Sequence, residues 1–193
     1  YQRAIDKGER ILVGVNKYTT GIEEKIDMVI NVACSLSNLK DYNIEPDSHE
    51  YHTAVDLSNP LIILQHLLEK KINRREKSRL YYIFVNTILT KIQSPENSIY
   101  YSYKILQQEY INCFKRKYGN VLKTVNVIVG TQISRTKETK KSVKLAEKIK
   151  SAVKNNVTEF IYGFEGKIIY LLYRISPLLS DGLINMKRFL FNN

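Results

Sequence analysis

Cysteine is nearly missing from this 193-residue chain: only Cys34 and Cys113 are present. Two cysteines so far apart exclude a disulfide framework and a cysteine-rich metal site. Both read as small apolar fillers in a reducing compartment. Long hydrophobic runs are also missing. The longest, near Lys167 to Leu179, is broken by Arg174 and is too short to cross a bilayer. No secretory leader is visible, and a cytoplasmic protein is expected. There is no internal repeat and no low-complexity linker, which excludes solenoids and tethered arrays. Histidine is scarce. His49, His52 and His66 share one helical segment, yet no cysteine or carboxylate pattern completes a metal set. His49 and His52, three apart, read as a solvated pair, and no metal is expected.

What is there suits one globular domain. Apolar residues make up 44% and charged residues 25% of the chain, ordinary values for a soluble protein. The net charge of +11 is less ordinary. Such a charge serves nucleic acid, an acidic membrane surface or solubility. The cations are spread over Lys70-Lys71, Arg74-Arg75, Lys115-Arg116-Lys117, Lys137 to Lys150 and Lys187-Arg188. No zinc-finger spacing, basic zipper or ribonucleoprotein aromatic motif accompanies them. Between Lys137 and Lys150 they alternate with Val143, Leu145, Ala146 and Ile149, the pattern of an amphipathic helix with a solvated basic face. Nucleic acid is therefore not expected as a partner, while peripheral membrane contact stays open.

Apolar runs alternate with helical periodicity along the chain. Strands are expected at Arg10–Val15, Met28–Val32, Leu80–Val85, Thr124–Val129 and Glu159–Tyr162. Helices are expected at Ser48–Glu69, Tyr100–Tyr118, Lys137–Asn155 and Gly166–Tyr173, with Pro60 kinking the first. Lys70 to Arg79 reads as an exposed charged connection. This order predicts an α/β fold, a parallel sheet covered on both faces.

One spacing carries chemistry. Tyr100 and Lys104 stand four apart at a helix start, so phenol and ammonium share one face. An ammonium beside a phenol favours the phenolate, and such a tyrosine can exchange a proton with a carbonyl or alcohol oxygen. A strand ending at Asn86-Thr87 precedes this helix, and a strand closed by Gly130 follows it. The competing reading is a helix-start aromatic packed beside Tyr101 and Tyr103, with a solvated lysine.

Strand, hydroxyl, loop, Tyr-x-x-x-Lys helix, strand, glycine: this order resembles the catalytic half of the short-chain dehydrogenase/reductase family. The tetrad Asn31-Val32-Ala33-Cys34 is similar to the family's Asn-Asn-Ala-Gly, and His52 to Leu61 resembles the helix that carries Val-Asn-Leu, with Asp56 at the asparagine position. The family serine falls on Thr87, and its Pro-Gly on Val129-Gly130. Ser142 to Asn156, followed by Glu159 to Tyr162, resembles the substrate-side end. The likeness runs from about residue 9 to the C-terminus.

The resemblance implies a Rossmann-like doubly wound sheet in a single domain over residues 1–193. Residues 1–35 would be a remnant of the cofactor-binding half, 48–135 the catalytic half and 136–193 the substrate side. It also implies an NAD(P)-dependent oxidoreductase interconverting a carbonyl and an alcohol. Tyr100 would be the acid/base, Lys104 its tuner and a ribose ligand, and Thr87 a hydrogen-bond partner of the substrate oxygen. Asp56 would take the proton-relay position, or stand as a solvated helix residue. Asn31, Ala33, Gly130 and Thr131 would line the cofactor. Lys17, where an acidic residue would favour NAD, leans the choice toward NADP. The apolar stretch from Tyr162 to Phe191 would form a lid suited to a bulky apolar carbonyl compound, though core packing, a dimer contact or membrane docking explains it as well. The family also implies a homo-oligomer built through the Tyr-x-x-x-Lys helix. One departure stands out. No Gly-x-x-x-Gly-x-Gly is present, since Gly14 and Gly21 lack that spacing. The part of the N-terminal unit that holds the glycine loop is expected either upstream of Tyr1 or lost. In the second case the chain is a catalytically degenerate binding or scaffolding protein.

Overall fold

Among the described residues, four short runs rich in valine, isoleucine and aromatics form strands, as such residues fit a pleated, buried surface. In a computed structural model, which describes residues 26–32, 50, 53–92, 98–130, 140–180 and 182, these are β1 (Met28–Asn31), β2 (Leu80–Thr87), β3 (Leu122–Val129) and β4 (Glu159–Tyr162). They lie side by side in that order and all pairs are parallel. Parallel neighbours require crossovers, and helices supply them. A π-turn at Ala54–Ser58 leads into α1 (Asn59–Asn73); then come α2 (Leu89–Ile92), α3 (Ser98–Lys117), α4 (Lys140–Lys154) and α5 (Phe164–Ile175). The fold is α/β and Rossmann-like. The strand expected at Arg10–Val15 lies outside the described residues.

Alternation along each strand sorts the core into two layers. Tyr82, Phe84 and Leu122 face α1 and α3, where Leu64, Leu68 and Ile111 meet them. Ile83, Val125 and Val127 face the other way, onto Leu145, Ile149 and Ala152 of α4. α4 buries positions 145, 149 and 152, spaced by four and three, whereas Val143 and Ala146 are exposed. Beyond α3, α2 and α5 cover the carboxyl end of the first face through Ile88, Ile92, Ile128 and Ile169. Cys113 is exposed on α3, so it is not the core filler its residue type suggested.

Pro60 does more than kink a helix. Proline lacks an N–H, and its ring crowds the preceding turn. Here the turn before it widens to π geometry, with the Asn59 N–H donating to the carbonyl of Ala54. The helix then continues to Asn73, past the expected boundary. Within what reads as an exposed connection, Lys71 is buried. Its Nζ donates to Asp27 Oδ1 (2.8 Å), Glu76 Oε2 (2.9 Å) and Ser78 Oγ (2.8 Å). The cation thus ties the start of β1 to the loop leading into β2. Burial alone would depress the Lys71 ammonium, but bonds to Asp27 and Glu76 outweigh it and hold the group above its ordinary 10.5. A raised native value means the contribution is complete below pH 10.5 and fades as pH climbs through the native value. Lys71→Met is expected to cost about 3 kcal/mol, because it takes from the nearly buried Glu76 the closer of two cations, Arg74 Nη1 standing 3.9 Å away. Asp27 is half exposed and can rehydrate, so Asp27→Asn should cost only about 0.5–1 kcal/mol. Urea unfolding of both variants checks this ranking.

Candidate active site

In a parallel sheet each crossover helix begins at the carboxyl edge and runs back toward the amino edge. The first turns of α3 and the π-turn before α1 therefore meet above the carboxyl ends of β1 and β2. The sequence places polar side chains at that meeting point. Along α3, positions 104, 107 and 111 share one stripe. Ile111 is buried as expected of it, and so are Lys104 and Gln107.

Lys104 is only 1% exposed, and its Nζ lies 3.6 Å from Oδ1 of Asp56, which is 0% exposed. Asp56 is therefore not a solvated helix residue. Its backbone carbonyl accepts a 2.9 Å hydrogen bond from Gln107 Nε2, which fixes the π-turn against α3. Next to this contact the Thr53 hydroxyl donates to Tyr103 Oη at 2.9 Å. Tyr100 stands one turn before Lys104, with Nζ 5.9 Å from its ring centroid, within the range of a cation–π contact. The phenol of Tyr100 is thus close to an ion pair and not to a lone cation, since the Asp56 carboxylate partly cancels the lysine's field.

Thr87 closes β2, in register with Val129. Its Oγ1 accepts the Leu89 N–H at 3.3 Å and so starts α2, while its carbonyl accepts from the Thr90 hydroxyl at 2.8 Å. The hydroxyl keeps a proton to donate. Asn31 closes β1 and bonds Tyr82, whose hydroxyl also donates to the Pro60 carbonyl at 3.3 Å. Burial pushes the Tyr82 phenol far above its ordinary range, and the Asn31 bond offsets only part of this. Asn31, Val55, Pro60 and Tyr82 help line a cavity of about 190 Å³ between β1 and the π-turn. That is smaller than the roughly 300 Å³ at which ligand pockets usually begin, so it fits a fragment and not a whole dinucleotide.

Gly130 follows β3, its N–H donating to the Tyr162 carbonyl at 3.1 Å. A Cβ there would stand 2.4 Å from Cα of Gly166 in α5. The close approach that this glycine permits is to the α5 backbone, a packing reason independent of any ligand. Lys17, Ala33 and Thr131 lie outside the described residues. Sequence reasoning missed Gln107 and Gly166. The signal for the first was its place on the Lys104–Ile111 stripe; for the second, a glycine inside a helix, where it costs about 1 kcal/mol relative to alanine.

No protein-family model and no curated protein matches the chain. Solved structures do. The fold is similar to 4-hydroxyisoleucine dehydrogenase complexed with NADH and succinate, at 13% identity over 81% of this chain and 77% of that one, with a TM-score of 0.64. It is equally similar to 4-hydroxyisoleucine dehydrogenase complexed with NADH, at 14% identity over 80% of this chain and 74% of that one, TM-score 0.64. A short-chain dehydrogenase/reductase from Vibrio parahaemolyticus gives 18% identity over 60% of this chain and 54% of its own, TM-score 0.45. At these identities the first two matches establish a shared Rossmann-like fold.

Proposed function

We propose that this chain is a nicotinamide-dependent oxidoreductase that interconverts a carbonyl and an alcohol. The observation that carries the reading is the Asp56–Lys104 pair, both members buried, beside Tyr100 where a parallel sheet opens its carboxyl edge. In open α/β sheets ligands bind at that edge. The similar dehydrogenases, solved with NADH, support a dinucleotide there.

The donor set suits the cofactor. A ribose needs a cation or amide near its hydroxyls, and Lys104 and Asn31 supply them, with the backbone at Gly130 beside the strand end. When bound, the cofactor supplies or accepts the hydride. Every other task falls to the chain. Tyr100 gives its phenolic proton to the substrate oxygen in reduction and takes it back in oxidation. Lys104, held by Asp56, stabilises the phenolate side of that exchange. The Thr87 hydroxyl donates to the same substrate oxygen. Lys17 keeps NADP in the proposal beside NAD. A small-molecule substrate is proposed, and a homo-oligomer through α3 fits the exposure of Leu106 and Tyr110, one turn apart.

A second reading has its own support. Lys104 is almost wholly shielded, which suits a structural cation in a protein that no longer turns over. Tyr100→Phe separates the two. It removes one hydroxyl from a half-buried side chain, so the fold and NADH binding should survive while turnover of a carbonyl panel falls roughly 100-fold or more. Equal turnover in the variant would remove Tyr100 from the chemistry. No turnover in the wild type, with NADH or NADPH, would favour the structural reading.

A further inference from the structure

Helix α5 is apolar on two sides. Gly166 and Ile169 are buried and anchor it to the sheet. Its outer side should then be polar, as on an ordinary surface helix. Instead Phe164 is 78% exposed, Leu171 60% and Ile175 68%. These positions are seven and four apart, so they share one stripe. Leu178, just beyond the helix, is 81% exposed and extends the apolar surface. Exposed cations, Lys167 and Arg174, stand on the same helix, against a single carboxylate, Glu165. The sequence then continues through Met186-Lys187-Arg188-Phe189-Leu190-Phe191, again basic and apolar together.

Charge decides what covers such a stripe. A second copy paired through this stripe would bring Lys167 and Arg174 of one helix against those of the other. An anionic bilayer interface accepts both the stripe and the cations. We propose that α5 docks this protein on an anionic lipid surface. The helix lies in the interface plane, with Phe164, Leu171, Ile175 and Leu178 among the acyl chains and Lys167 and Arg174 at the headgroups. The contact is peripheral, since no helix among the described residues is long and apolar enough to cross a membrane. This inference is independent of the oxidoreductase reading.

Co-sedimentation of the full chain with vesicles tests it. Vesicles of phosphatidylcholine alone are compared with vesicles that also contain phosphatidylglycerol. Partitioning is expected into the second and not the first, and should weaken as salt rises. Leu171→Ser with Ile175→Ser alters only exposed apolar side chains, so circular dichroism and melting should be unchanged while partitioning drops at least roughly tenfold. Lys167→Glu with Arg174→Glu should lower it by a similar, roughly tenfold factor at low salt. Partitioning that ignores the serine changes would assign binding to overall charge and overturn the proposal. So would no binding to either vesicle, or wild-type dimers in sedimentation equilibrium that the serine changes dissolve, which would give the stripe to a second copy.

Discussion

Asp56→Ala is expected to lower the unfolding free energy by about 3–5 kcal/mol, the usual cost of removing one member of a buried ion pair. The loss comes less from the missing attraction than from what remains. Lys104 is 1% exposed where α3 meets the π-turn, and cannot reach water without opening that packing. Without this carboxylate the ammonium must keep its charge in a poorly solvating site. For a chain of this size the melting temperature should fall by about 10 °C. Lys104→Met alone should also destabilise, since it takes this cation from the buried Asp56 carboxylate. The double change Asp56→Ala with Lys104→Met removes both charges and should recover most of the loss, leaving about 1 kcal/mol for the shortened side chain at 56. Additive losses in the double variant would show that the two groups do not interact. Thermal unfolding of the four proteins completes the cycle.

Gly130→Ala is the other large effect. The added Cβ would stand 2.4 Å from Cα and 2.6 Å from N of Gly166. Both are backbone atoms, so no rotamer change relieves the clash and α5 must move off the end of β3. A cost of about 3 kcal/mol is expected, at the upper end for overpacking. Gly166→Ala meets the reverse clash, 2.7 Å from Cα of Gly130. It should cost about 1 kcal/mol less, because alanine recovers helix propensity that glycine forfeits. Urea unfolding of the two variants would show that ranking. Wild-type stability in either would mean that the two backbones do not approach so closely.

Much of the fold was legible because strands and helices each follow one period. β4 matches its expected bounds, and β2 and β3 extend theirs by two residues. The π-turn was half legible, since Pro60 marks where the hydrogen-bond ladder breaks but not how the chain absorbs it. α2 was not, because Thr87 begins it through a local side-chain bond that leaves no periodic trace. Charged residues were the least legible. Lys71 sits among lysines and arginines that face solvent, and only the folded chain brings Asp27, 44 residues away, to it. For the candidate site, the spacing of Tyr100 and Lys104 showed that the two are neighbours. It did not show that Lys104 occupies a core position, although its register with Ile111 carried that information. A buried cation demands a partner, and Asp56 was the one acidic residue already suspected for another reason.

Titration of the full chain with NADH and NADPH, followed by nucleotide fluorescence, tests the central claim most directly when run on wild type beside the Asp56→Ala, Lys104→Met double variant. The wild type should saturate with at least one nucleotide, and the double variant, folded at the same temperature, should bind at least roughly tenfold more weakly for loss of the cation proposed to hold the ribose. Equal saturation of both proteins would contradict the placement of the site at Lys104, and no binding by the wild type would contradict the nicotinamide-dependent reading itself.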